Sequence, residues 1–242
     1  MAEPDARARQ APWRLADALG AFFVAELAAT VLATVGLAAG ASDKSIPVLA
    51  LGLVGEWTGF VGGPLVVSRA RGTGSLVRDF GLTLAGWRDI GRGLAAGIGT
   101  YVIVLGLLYP PLLRLLRHLV GHKVDVGQSA RQLSREGRGV GFLVFALLVA
   151  VGAPLAEELF FRGLLMRALQ RRLGVAGGIV GSAVIFGLVH LLGGTEGAAV
   201  PALVTFGIVL GVLYHRTGRL GPGVVAHMAF NGITVAALAA SR

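Results

Sequence analysis

The apolar positions of this chain fall into seven runs, separated by short polar or basic stretches. They cover roughly residues 17–40, 46–68, 91–113, 140–160, 175–192, 198–215 and 221–240. About 20 mainly apolar residues, rising 1.5 Å each, cross a hydrocarbon core, so each run predicts a membrane-spanning helix. Two connections are long. Residues 69–92 are basic, contain Phe80 and Trp87, and read as an interfacial connection. Residues 114–138 form the longest polar stretch and read as an amphipathic surface helix or a mobile loop. From Phe142 to Arg172 only Pro154 interrupts the helical pattern. Some 30 residues would extend about 45 Å, more than the hydrocarbon core. The run is therefore expected to kink at Pro154, leave the membrane, or bend along its surface.

Composition supports this reading. Of 242 residues, 55% are hydrophobic and 14% charged, with mean hydropathy +0.75. A soluble domain carries about 25% charged residues, so this chain lacks the charge to cover a water-facing surface. The expected fold is all-α: one multi-pass transmembrane bundle of about seven spans, with possible interfacial helices. A polar tail (1–16) precedes a single helical domain (17–242), whose motif-bearing core is about 140–240. With no cysteine, disulfides, Cys-ligated zinc and a cysteine nucleophile are excluded. The net charge of +9 is mostly arginine, placed at the ends of apolar runs. That pattern suits loops at a membrane face and gives no reason to expect nucleic acid as a partner.

With the N-terminus inside, fourteen Lys and Arg fall on inner segments and eight on outer ones. The count predicts a cytoplasmic N-terminus, although six of the eight lie in 114–138 and oppose it. The tail carries Arg7, Arg9 and Arg14 with no small-residue cleavage site after a short apolar core, so it is not read as a cleavable signal peptide. Glycine pairs four apart, such as Gly59/Gly63, Gly93/Gly97 and Gly207/Gly211, predict close helix crossings.

Ionisable residues inside spanning helices are costly and need a reason. The C-terminal half holds a spaced set of them: Glu157, Glu158 and Arg162; His190, four after Phe186; and His227 and Asn231, four apart. On a helix, Glu158 and Arg162 share a face with the acid first, which favours an ion pair. Glu157 is turned about 100° away. His227 and Asn231 share another face. The set suits hydrolysis: a carboxylate helped by an imidazole takes a proton from water, and a donor pair stabilises the oxyanion. Two histidines and a carboxylate also suit a divalent metal such as zinc, and a metal-free route stands beside it. Glu26 and Glu56, in the first two runs, are read as structural. His215 is read as interfacial, and His118 and His122 as solvated.

These residues also carry a resemblance. Glu157-Glu158-Leu-Phe-Phe-Arg162 is similar to the EExxxR motif of the CAAX prenyl protease type II and bacteriocin-processing (CPBP, Abi) family. Phe186-Gly-Leu-Val-His190 matches its FxxxH motif and His227-Met-Ala-Phe-Asn231 its HxxxN motif. All three occur in order, in separate apolar runs, over about residues 150–231. The resemblance implies an intramembrane protease, often labelled a metalloprotease, acting on a peptide or membrane-protein substrate. It implies Glu157 as general base with His190 assisting, His227 and Asn231 as the oxyanion hole, and Glu158 and Arg162 as orienting groups. The Ala/Gly/Arg-rich composition suggests a GC-rich bacterial source and a plasma-membrane location, which makes a prenylated substrate unexpected.

Two difficulties accompany the protease reading. Counted from the turn near residue 173, Glu157 and His190 each lie about 22 Å deep, whereas His227 lies only about 10 Å after Leu220. The same buried charges would also serve a transporter, an ion-binding bundle, or a protein that holds a peptide without cutting it. No half-to-half symmetry of the kind common in transporters is visible in the sequence.

Overall fold

A computed structural model describes residues 13–121, 126–136 and 139–240. Residues 1–12 of the polar tail, and His122, lie outside them. Six continuous helices are long and apolar enough to cross a membrane. They are α1 (Leu15–Ala38), α2 (Ile46–Arg71), α4 (Trp87–Leu119), α6 (Val140–Val189), α7 (Gly197–Thr217) and α8 (Leu220–Ala240). Two short helices join them: α3 (Leu76–Phe80) and α5 (Gln128–Glu136). Among the described residues no strand occurs.

The 50 residues of α6 would reach about 75 Å if straight. They do not run straight. Gly174 adopts φ 72° and ψ 178°, a conformation open to glycine and strained for other residues. The helix turns back there. Ser182 then donates to the carbonyl of Phe161 at 2.9 Å, and Phe186 packs edge-on against Phe161. Thus α6 makes two antiparallel passes, and the six helices give seven crossings. The break is at Gly174, and Pro154 sits inside a continuing helix.

That continuity has a local cause. Residues 148–152 form a wide turn in which the Ala153 N–H reaches back five residues to the Leu148 carbonyl. The extra residue makes room for Pro154, which lacks an N–H and would clash in regular α-geometry. A second wide turn covers Leu159–Met166.

Helix crossings follow the small residues. A Cβ added at Gly93 would press on the Pro222 carbonyl and Val225, and one at Gly97 on the Ala226 carbonyl, so α4 and α8 run backbone to backbone. Gly55 and Gly59 bring α2 equally close to α1. Direct backbone approach is how helices associate in lipid, where burial of apolar surface gives no preference for protein over lipid. Gly40 makes no such crossing: it lies beyond α1, at φ 89°, with open space where a Cβ would stand.

One end of the bundle is closed by the segment 72–86. Trp13 stacks on Phe80 with centroids 4.9 Å apart, and the Tyr214 hydroxyl donates to the Phe80 carbonyl at 3.2 Å. Arg167 donates to the Asp79 carbonyl, with its guanidinium over Trp13. The Leu220 N–H donates to the Gly81 carbonyl at 2.7 Å. Burial alone would raise the Asp79 carboxyl. Hydrogen bonds from Ser68, Thr73 and Ser75 outweigh burial and hold it below the usual carboxylate range. At the other end α5 is tied down: the Ser129 N–H donates to Glu196 Oε1 at 2.7 Å and its hydroxyl to the Gly194 carbonyl at 2.9 Å. Of the two readings for 114–138, the surface helix is the one found over 128–136. His118 is exposed, as expected.

Candidate active site

Three spans carry the six sequence-derived residues, and five of them (Glu157, Glu158, Arg162, His190 and His227) meet in one region between α6, α7 and α8. Glu157, Glu158 and Arg162 come from the first pass of α6, His190 from the end of its second pass, and His227 and Asn231 from α8. Aromatic rings wall the region. Phe161, Phe186 and Phe206 pack edge-on in sequence around His190 and His227, and Phe206 stacks on Phe230 at 4.3 Å.

The sealed part is an ion cluster. Glu158, Arg162 and His227 are 0%, 1% and 2% exposed, so bulk water does not stabilise their charges. Their partners do. Arg162 Nη1 lies 2.8 Å from Glu158 Oε1, and its Nη2 donates to the Gly207 carbonyl at 3.4 Å. The guanidinium also sits 4.6 Å from the centroid of the Phe186 ring. His227 Nδ1 lies 3.0 Å from the same Glu158 Oε1. A carboxylate only accepts, so Nδ1 carries hydrogen and Nε2 points away from Glu158. Gly223 admits the other Glu158 oxygen, because a Cβ there would lie 3.1 Å from Oε2.

The open part centres on Glu157. Its Oε2 lies 3.8 Å from His227 Nε2 and 4.0 Å from His190 Nε2. Both gaps exceed a direct hydrogen bond. They match one bridging water, since two groups each about 2.8 Å from a water, at about a right angle, stand about 4 Å apart. Among the described residues Glu157 Oε2 is buried without a hydrogen-bond partner, and such an acceptor calls for a donor. His190 Nδ1 lies 2.8 Å from the Phe186 carbonyl, so it donates there and leaves the Nε2 lone pair facing Glu157. His190 is also the more accessible side chain, at 26%.

The side chains do not fit the metal alternative. Zinc bonds of about 2.0–2.1 Å would hold tetrahedral ligand atoms about 3.4 Å apart, closer than these gaps. Among the described residues no three His, Asp or Glu side chains are grouped to hold a metal ion.

Asn231 has a partner that its sequence context did not reveal. Its Nδ2 donates to the Val149 carbonyl at 2.9 Å. With Leu148 served by Ala153, the donor due to Val149 is residue 154, which is proline. The Asn231 amide supplies the missing hydrogen from another helix. Glu56 also gains a neighbour, lying close enough to Glu157 for their charges to interact, and in turn to Glu26. An unpaired acid in the second run was the only sequence signal for it. Gly207, Phe206 and Gly223 gave none, because a backbone carbonyl, a ring edge and a missing Cβ leave no polar mark in an apolar run.

The depths agree once the hairpin is seen. Gly163 packs beside Phe80 and Leu220, so α8 begins level with Gly163, eleven residues before the turn at Gly174. The hairpin tip therefore projects about 15 Å beyond the start of α8, and residues 171–176 are exposed. That projection is long enough to account for the apparent mismatch of about 12 Å.

Residues 139–233 match the family model described as type II CAAX prenyl endopeptidase, Rce1-like. No curated protein and no solved structure matches the chain. The matched segment contains all six sequence-derived residues and excludes α1, α2 and α4. Over residues 139–233, about two fifths of its length, this integral membrane chain is similar to the Rce1-like, type II CAAX prenyl endopeptidase family.

Proposed function

We propose that the protein is an intramembrane endopeptidase that hydrolyses a peptide bond of a membrane-held substrate with a water activated by Glu157. The unpaired Oε2 of Glu157, facing two imidazole nitrogens at one-water distance, carries this reading. The similarity of residues 139–233 to the Rce1-like family supports the reaction class.

Charge balance sets the roles. Two buried carboxylates face one guanidinium, so one further positive charge makes the cluster neutral, and a charge left uncompensated in a low-dielectric interior is costly. His227, with Nδ1–H on Glu158, carries it and presents Nε2–H towards the Glu157 side. The water donates one hydrogen to Glu157 Oε2 and the other to the His190 Nε2 lone pair. Its oxygen attacks the peptide carbonyl carbon as a proton passes to Glu157. The negative charge moves from Glu157 to the carbonyl oxygen, where His227 Nε2–H and the second N–H of the Asn231 amide stabilise it. Collapse breaks the C–N bond, and Glu157 returns the proton to the leaving amine. Glu158 and Arg162 touch no reacting atom. They hold the His227 ring in position through its Nδ1–H on Glu158. In this reading the N-terminus faces the cytoplasm, together with the arginines of the hairpin tip and of residues 69–92.

The test uses the full chain in liposomes. A quenched fluorescent peptide is offered with and without a C-terminal lipid anchor. Cleavage of the anchored peptide by the wild type, with loss in Glu157→Gln and His227→Ala variants that remain monodisperse, is expected. Equal cleavage by both variants would sink the proposal.

A further inference from the structure

A second charged site lies outside the reaction chamber, between the first turns of α4 and the end of α7. A cavity of about 390 Å³ is lined by Arg92, Leu213, Arg216, Thr217 and Arg219. Its cations are organised by one acid. Asp89 is 1% exposed and accepts from the Ala85 N–H at 2.8 Å. It also accepts from Arg92 Nη1 at 3.1 Å, Arg219 Nε at 2.7 Å and Arg219 Nη2 at 2.9 Å. The Asp89 hydrogen bond holds the Arg219 guanidinium above its already high value, so it is charged at every working pH. Among the described residues Arg216 has no carboxylate within ion-pair distance. One carboxylate against three guanidiniums leaves an excess of two positive charges around the cavity.

The position fixes what those charges meet. Trp87 opens α4 one turn before Arg92 and is 77% exposed, with Arg88 against its ring at 5.7 Å. An exposed tryptophan beside arginines at the end of a spanning helix marks the headgroup level of a bilayer. Leu213 lies one turn before Thr217, on the membrane side of the arginines, and offers an apolar wall below them. Arg92 and Arg219 are held by Asp89, so their remaining N–H groups are oriented before a ligand arrives. Guanidiniums suit phosphate because they pair with its oxygens through two parallel hydrogen bonds.

We propose that this cavity binds the phosphate of an anionic phospholipid, with Arg92, Arg216 and Arg219 on the phosphate and the first acyl carbons along Leu213. The site is independent of the proteolytic reading, since no residue of it lies in the Glu157 cluster. Its charge and depth favour a lipid over free phosphate, which has no use for the apolar wall.

The test is native mass spectrometry of the full chain released from mixed micelles, with phosphatidylglycerol, phosphatidylcholine or inorganic phosphate added separately. The wild type is expected to retain one phosphatidylglycerol in preference to phosphatidylcholine. Each arginine near a membrane surface contributes about fivefold in affinity, so Arg216→Gln should weaken retention about fivefold and Arg92→Gln/Arg216→Gln about 25-fold. Neither change removes the Asp89–Arg219 pair, so folding is preserved, and an unchanged melting temperature without lipid checks this. Retention unaltered by the double substitution would overturn the site. Inorganic phosphate competing at equal concentration would keep the phosphate chemistry and overturn the lipid as its source. Equal retention of phosphatidylcholine would overturn the preference for net negative charge.

Discussion

Asn231 and Pro154 are coupled through an atom that neither side chain would suggest, the carbonyl oxygen of Val149. Removing the amide with Asn231→Ala leaves that carbonyl without its observed donor, in a span with little access to water. Leaving a buried acceptor unpaired costs about 1–3 kcal/mol. Interhelical hydrogen bonds in membranes measure about 0.6 kcal/mol on average and 1.7 at most, because separated helices in lipid find other partners. Here the wide turn leaves Val149 no backbone donor, since the Ala153 N–H serves Leu148 and Pro154 has no N–H, so the upper end applies while that turn persists, about 1.5 kcal/mol. At about 2–4 °C per kcal/mol for a chain of this size, Asn231→Ala should melt about 3–6 °C lower. Pro154→Ala returns an N–H to the position from which Val149 can be served. In that background Asn231→Ala should cost much less, giving a coupling of about 1 kcal/mol in the double-mutant cycle. Thermal unfolding of the four proteins in one detergent measures it. If Asn231→Ala lowers the melting temperature equally with and without Pro154, the carbonyl is not the shared element, and Asn231 serves the reaction alone.

Three further outcomes follow from the geometry. Arg162→Met leaves the buried Glu158 carboxylate with His227 alone. It should destabilise by about 3–5 kcal/mol, with partial recovery in Glu158→Gln/Arg162→Met, read as folded yield on size exclusion. Gly97→Val drives a side chain into the Ala226 backbone and should cost about 1–3 kcal/mol, whereas Gly99→Ala, with open space around it, should melt like the wild type. Asp79 has a folded carboxyl held below its unfolded value of about 3.9, so it contributes stability above that pH and loses it as pH falls through the folded value. The melting difference between the wild type and Asp79→Asn should therefore be full at pH 7 and shrink below about pH 4, and a constant difference across that range would contradict the assignment.

The sequence pattern was informative where physics leaves a periodic or chemical mark. Apolar runs at bilayer length gave the seven crossings, and polar groups that have no place in lipid pointed to the five residues that meet around Glu157 and Glu158 and to Asn231 one turn beyond His227. What it missed shares one property: the controlling atom belongs to the backbone. Pro154 reads as one place for the long run to kink, because proline usually disturbs a helix. A wide turn and an amide borrowed from α8 absorb it, and neither has a sequence period. The polar gap between the runs 140–160 and 175–192 points to a turn near residue 173, and the positive φ of Gly174 is where the backbone makes it. That turn decides the site. With the break at Pro154, Glu157 would stand at the start of a new segment, with its depth free to vary. With the break at Gly174, Glu157 and His190 lie on two arms of one hairpin at equal distance from its tip. Ser182 on Phe161 and Arg162 beneath Phe186 lock the arms together. The level of the reacting groups is then set by a rigid antiparallel pair, and α8 need only match that level, which the bond from the Leu220 N–H to Gly81 enforces by fixing where α8 begins.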